Sequence, residues 1–203
     1  IDQLNTYTGL RPQRFDSLLS TLNEQFGIQS VLALRRFAVT HMIIKNPISP
    51  LENEVAAVAS NGGTVALQNS ELGFVAWSVP HRPWASFADR VILAPGEKEA
   101  LNTLIETLAQ GESTVILEGA SPPKVLGTGR VLNIERSSNR LRIEAISNDD
   151  GILVVNDSYG RGWQAKIDGN DVPIWRADFL VRAVPWPSGR HVLEMQYAPA
   201  EVR

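Results

Sequence analysis

The 203-residue chain contains no cysteine. Disulfides, thiolate metal sites and cysteine nucleophiles are therefore excluded, while the compartment stays open, because many extracytoplasmic domains also lack the residue. No apolar run approaches the roughly 18 residues that a membrane helix needs, and no stretch has the layout of a signal peptide. A formal net charge of −3 leaves no broad basic footprint, so nucleic acid is not an expected partner. The pair Arg35-Arg36 reads as solvated face. Histidine is scarce as well: His41, His81 and His191 lie far apart, without a second histidine at zinc-site spacing. No spaced D-x-D-x-D loop closes on a glutamate, so Asp157, Asp168 and Asp171 read as turn residues rather than calcium ligands. Neither a metal nor a cofactor is expected. The chain opens on Ile1 rather than methionine, which reads as a portion excised from something longer.

Periodicity organises what is present. Pro12 suits a first helical turn. Phe15, Leu18, Leu19 and Leu22 follow at i, i+3, i+4 and i+7, a stripe that predicts a helix stopped at Gly27. A second short helix is expected from Ser30, with Val31, Leu34 and Phe37 on its core face. The β-branched segment 39–44 reads as a buried strand. Residues 54–60 and 64–68 read as a hairpin around Asn61-Gly62-Gly63, which tolerate positive φ. Strands are also expected at 73–79 and 90–94. The clearest helix spans 97–110, with Leu101, Leu104, Ile105 and Leu108 as its stripe and Glu97 and Glu99 at its positive end. A strand at 114–118 completes a strand–helix–strand unit. Ser121-Pro-Pro-Lys124 is a rigid extended linker, and the lobe boundary is placed there.

Beyond the linker the period becomes two. Leu141, Ile143 and Ala145 face one side of a strand and Arg140, Arg142 and Glu144 the other. Ile152-Leu-Val-Val155 is apolar throughout and reads as a central strand. Trp163, Ala165 and Ile167 alternate with Gln164, Lys166 and Asp168 before a turn at Gly169-Asn170. Short strands at turn spacings of about eight to twelve residues indicate a sandwich or barrel. The expected fold is α+β and mostly β: an N-terminal α/β lobe over 1–120, followed by an antiparallel β-sandwich over 125–203.

Three motifs fail on mechanism. Gly160-Arg-Gly162-Trp-Gln-Ala165 matches G-x-G-x-x-A, but those glycines precede an alternating strand, whereas a pyrophosphate needs a helix N-terminus. Ser121-Pro-Pro-Lys124 has S-x-x-K spacing, yet its prolines remove the helical turn that would stack serine on lysine. Asn156-Asp-Ser158 is a glycosylation triplet of a kind frequent by chance. The aromatics carry more. Tyr159, Trp163, Trp175 and Trp186 fall within thirty residues, and proteins grip sugars with aromatic rings beside Asp or Asn. Alternation points Trp163 into the core with Ile167. Trp186, between two prolines, is expected to be exposed. Tyr159, Trp175 and Trp186 are therefore the candidate ligand-binding residues, and no catalytic residue is assigned.

Taken together, Ile152-Leu-Val-Val-Asn-Asp-Ser-Tyr159, Gly162-Trp163, Ile167-Asp168-Gly169, Phe179, Ala183-Val184-Pro185, Gly189-Arg-His191 and Tyr197-Ala-Pro199 resemble a known pattern. It is that of the C-terminal extracytoplasmic region of bacterial YfhO-type polytopic membrane proteins. The likeness runs from about Phe15 to Pro199 and is strongest in the last fifty residues. Arg161 stands where that family often has proline. The resemblance implies a C-class glycosyltransferase-like parent that uses polyprenyl-linked sugar donors, with its catalytic acids in a loop elsewhere. It also implies a return to the membrane just after Arg203. This portion is then expected to be a non-catalytic domain on the extracytoplasmic face of a bacterial membrane. Its expected partners are the transmembrane portion of its own parent chain and a cell-envelope glycan acceptor. The alternative is a free-standing carbohydrate-binding β-sandwich module. A soluble hydrolase is not supported, because no nucleophile–base pair can be read.

Overall fold

The computed structural model describes residues 13–23, 32–33, 35–45, 56, 58–71, 73–108, 113–124 and 126–199. The fold is α+β and mostly β, and it divides into two compact units, 1–83 with 108–112, and 84–107 with 113–203.

In the first unit, helix α1 (Gln13–Asn23) buries Leu18 from the expected stripe. Gly27, Ser30, Val31 and Leu34 lie outside the described residues. Strands β1 (His41–Lys45), β2 (Thr64–Asn69) and β3 (Phe74–Ser78) form an antiparallel sheet in the order β1-β3-β2. Met42 and Trp77 pack on a small core of Val58 and Val79. Expectation and structure differ at three places. β1 is not a buried strand: Ile43 is 65% exposed, as is its row-mate Leu67 at 57%, because no described residue covers that face of the sheet. Residues 58–60 are helical rather than a hairpin arm. Gly62 (φ 81) donates its N–H to the Ala59 carbonyl at 3.1 Å and Gly63 to that of Val58 at 2.9 Å, which is a Schellman stop. A Cβ on Gly63 would stand 2.4 Å from Val58 Cγ1. The glycines end a helix, and the hairpin is the one between β2 and β3. Arg36, expected on a solvated face, is buried.

The second unit contains β4 (Ala85–Phe87), β5 (Arg90–Ala94), α2 (Glu97–Thr107), β6 (Thr114–Glu118), β7 (Gly129–Arg136), β8 (Arg140–Ser147) and β9 (Gly151–Ser158). Then come β10 (Trp163–Ile167), β11 (Asn170–Val172), β12 (Trp175–Ala177), β13 (Val181–Trp186) and β14 (Gly189–Tyr197). They make a six-stranded sheet, β4-β9-β13-β12-β6-β5, and a five-stranded sheet, β11-β10-β14-β8-β7. All pairs are antiparallel except β5–β6, which α2 joins in parallel while packing on both strands. The expected boundary at 120–125 is thereby corrected. β4 pairs with β9 and β6 with β12, so residues 84–107 and 113–118 extend the sandwich instead of belonging to the N-terminal lobe. The prolines at 122–123 mark a loop, not a boundary.

The core lies between these two sheets. Leu141, Ile143, Ala145, Ala165, Ile167, Leu193 and Met195 from one face meet Ala85, Phe87, Leu153, Val155, Val184 and Trp186 from the other. Each fully buried leucine, isoleucine, valine or methionine among them contributes about 1.5–3 kcal/mol over its exposed state. The alternation of β8, buried at every second residue, is the two-residue period seen in the sequence. Asp168 (φ 48) and Gly169 (φ 84) form a two-residue turn that pairs Ile167 with Asn170, the type I′ geometry that right-twisted hairpins favour. Asp178 was not marked by the sequence. It is buried in the turn from β12 to β13, where its carboxylate accepts the Ile116 N–H at 2.9 Å and its own N–H reaches the Ile116 carbonyl at 2.8 Å.

Candidate functional site

The corner between β9 and β10 brings together the side chains best suited to a ligand. β9 leaves the core at Asp157, and Tyr159 is held by its N–H donating to the Leu180 carbonyl at 2.8 Å. Gly162 is required by close approach: a Cβ there would lie 2.6 Å from the Tyr197 ring, and its carbonyl accepts the Ala198 N–H at 2.7 Å. β10 then starts at Trp163. The G-x-G-x-x-A letters thus open a strand, as their alternation implied, and offer no helix N-terminus for a phosphate.

Arg182 on β13 dominates the electrostatics of this end. Its side chain is 2% exposed, and its guanidinium lies 3.9 Å from the centre of the Trp163 ring. It pairs with Asp157 at 2.7 Å, donates to the Ser158 carbonyl at 2.9 Å, and places Nη1 3.8 Å from Met195 Sδ. Burial draws the guanidinium below its ordinary range, and the Asp157 carboxylate opposes that shift. It stays cationic at physiological pH. Arg176, its cross-strand neighbour on β12, lies 4.2 Å from the centre of the Tyr159 ring, and Tyr197 tilts against Trp163 at 5.5 Å. Beside this stack opens a cleft of about 460 Å3, bordered by Tyr159, Arg161, Trp163, Gln164, Asp171 and Ile174.

The three aromatic candidates do not form one surface. Tyr159 borders the cleft, half-buried. Trp175 precedes Arg176 on β12 and so presents its ring to the opposite face of the sheet. Trp186 is buried at 1% exposure, because β13 continues through Pro185 and Trp186 as a ladder strand against β9. Its ring stands edge-on to Phe87 at 5.8 Å, and its Nε1–H has no acceptor among the described residues. The expectation of an exposed Trp186 is corrected: strand pairing on one side left the flanking prolines no freedom to expose it. Trp163 does pack on the core beside Ala165 and Ile167, yet its outer part also borders the cleft. The sequence signal that could have found this dual placement was its position at the first residue of a strand after two glycines.

At the opposite end of the sandwich His191 bridges two acceptors. Nδ1 is 2.5 Å from Asp168 Oδ2, and Nε2 is 2.9 Å from the Ser188 carbonyl. Asp168 Oδ1 accepts the Val192 N–H at 2.9 Å. Both ring nitrogens face acceptors, so the imidazolium form satisfies the geometry, and Asp168 and the Ser188 carbonyl hold His191 above its ordinary range. Asp168 is held below its own by His191 and then by Val192. This pair is no catalytic dyad. The nitrogen a base would need is engaged by Ser188, whose hydroxyl donates to the Asn148 carbonyl at 3.0 Å. The aspartates stand apart in separate roles, Asp157 on Arg182, Asp168 on His191 and Asp171 on Lys166 at 3.6 Å. No group of three potential metal ligands occurs among the described residues. The triplet at Asn156 lies on β9, with the Asn156 N–H bonded to the Trp84 carbonyl at 2.8 Å.

No family model, no curated protein and no solved structure matches the chain. No helix among the described residues is long and apolar enough to cross a membrane.

Proposed function

We propose that the chain is a non-catalytic extracytoplasmic domain of a polytopic, glycosyltransferase-like membrane protein, and that it contacts a glycan acceptor through the cleft at the β9–β10 corner. The observation that carries the glycan contact is the cleft's composition. Tyr159 and Trp163 offer ring surface, and Arg161, Gln164 and Asp171 offer donors and acceptors suited to hydroxyls. The membrane context rests on the resemblance to YfhO-type proteins, whose pattern includes Tyr159, Gly162-Trp163 and Tyr197-Ala-Pro199, the residues at this corner. A free-standing carbohydrate-binding module remains the second reading. The burial of Trp186 and the placement of Trp175 remove two of the three rings on which it was based.

Calorimetric titration with cell-envelope glycan fragments tests the contact. Wild type binds, and Tyr159→Ala or Arg161→Ala weakens binding about tenfold, the scale of one well-formed polar or stacking contact. Absence of heat with every envelope glycan overturns the acceptor role. For the membrane half, a reading frame upstream of Ile1 that encodes many apolar helices is the expected result. A lone signal peptide there overturns it in favour of the free-standing module.

A further inference from the structure

The outward face of the five-stranded sheet carries a row of side chains that the fold itself does not use. Gln164 on β10 lies opposite Gln196 on β14, which lies opposite Arg140 on β8. All three are exposed, and none has a side-chain hydrogen bond or ion pair among the described residues. The next row on the same face behaves differently. Lys166, Glu194, Arg142 and Glu135 stand in line across four strands with alternating sign, and Arg142 reaches Glu135 at 3.5 Å. Opposite charges facing one another in this way stabilise a sheet locally. The first row has a cation and two amides with no such internal partner.

A depression of about 590 Å3 covers both rows, and on this face Arg140, Arg142 and Lys166 stand against two carboxylates, Glu135 and Glu194, in a protein whose net charge is −3. Gln164 borders this depression and also the cleft at Tyr159, so the two recesses adjoin. Adjacent strands are about 4.8 Å apart, which makes the Gln164–Gln196–Arg140 row roughly 10 Å long, the scale of a disaccharide. We infer that this row extends the glycan cleft into a groove selective for an acidic sugar. The Arg140 guanidinium takes the carboxylate of a hexuronate, and Gln196 and Gln164 take ring hydroxyls. This rests on the glycan reading above. The guanidinium fork matches a carboxylate with two parallel N–H donors, and each amide supplies both a donor and an acceptor to a hydroxyl. Because the row is exposed, its electrostatic part is screened by salt.

The test uses the whole chain, with trigalacturonate and maltotriose as acidic and neutral probes in calorimetric titration. The acidic trimer is expected to bind about tenfold more tightly at low salt, the increment of one charge-assisted contact, and the advantage shrinks as salt rises. Arg140→Gln abolishes the acidic preference and keeps the neutral affinity, with an unchanged melting curve, while Tyr159→Ala weakens both probes. Equal affinity of wild type for the two trimers overturns the acidic groove and leaves the glycan cleft standing, as does a preference that survives in R140Q. Binding of neither trimer overturns both.

Discussion

Each end of the sandwich sets a tryptophan against a basic side chain, and the two ends solve the same problem with different chemistry. At one end Trp163 is half-buried, and the ring face carries Arg182, whose charge is permanent and sealed from water. At the other Trp186 is wholly buried, and its edge meets His191 at 6.1 Å, a group that titrates and is still reached by solvent. The first end keeps polar groups and a cleft open beside it. The second ties the β10–β11 turn to the start of β14, and the Ser188 N–H and hydroxyl tie the same corner to Asp150 and Asn148. An end with a permanent buried charge keeps its contacts across the physiological pH range, whereas an end held by histidine tightens or loosens within it.

Of the two ends, the one at Trp186 is the more costly to disrupt. Trp186→Ala removes the largest fully buried side chain and should cost about 3–5 kcal/mol in denaturant unfolding. A loss of glycan affinity without that cost would restore Trp186 as a contact residue. Next in size is the ion pair of buried Arg182 with half-exposed Asp157. Asp157→Ala leaves the buried Arg182 charge without its carboxylate and should cost about 2 kcal/mol, below the figure for a fully buried pair because water still reaches Asp157, while adding Arg182→Met recovers most of it. A double variant no more stable than D157A would show that Trp163 and Ser158, not Asp157, hold the guanidinium. Gly162→Ala forces a methyl into the Tyr197 ring and should destabilise by about 1–3 kcal/mol, read as a shift in urea midpoint.

The smallest effect is the pH dependence of the His191 end. His191 is raised above its ordinary 6.5, so its contribution is complete below that pH and is lost as pH rises through the folded value. Asp168 is lowered below its ordinary 3.8, so its contribution holds above 3.8 and is lost as pH falls through the folded value. Stability should therefore level out between those values and decline on either side by less than about 1 kcal/mol, because the pair is partly exposed and screened. His191→Gln should flatten the alkaline decline. Identical curves for wild type and H191Q between pH 6 and 8 would remove the distinction between the two ends.

Much of this was legible in the residues. The alternation of Leu141, Ile143 and Ala145, the apolar run at Ile152–Val155, the helix after Pro95-Gly96 and the turn at Gly169, which begins one residue earlier than expected, each rest on local period or local φ preference. Such signals survive folding because the chain's own geometry enforces them. The misreadings have two sources. Asn61-Gly62-Gly63 suits a helix stop as well as a hairpin turn, and local bonds back to Val58 and Ala59 make it the former; the others are non-local. The prolines beside Trp186 looked like an exposed loop until β13 paired with β9.

The same division holds at the candidate site. The sequence alone determined that this region is a β-rich corner with glycines, aromatics and no nucleophile, because composition and spacing suffice for that. Only the tertiary structure decided which rings meet. Tyr159 borders the cleft with Trp163 while Trp175 turns away and Trp186 goes inside. It also decided that Arg182, twenty-five residues beyond Asp157, returns to neutralise it. Strand pairing joins residues without regard to their separation along the chain, and no period or motif within one strand records which partner it will meet.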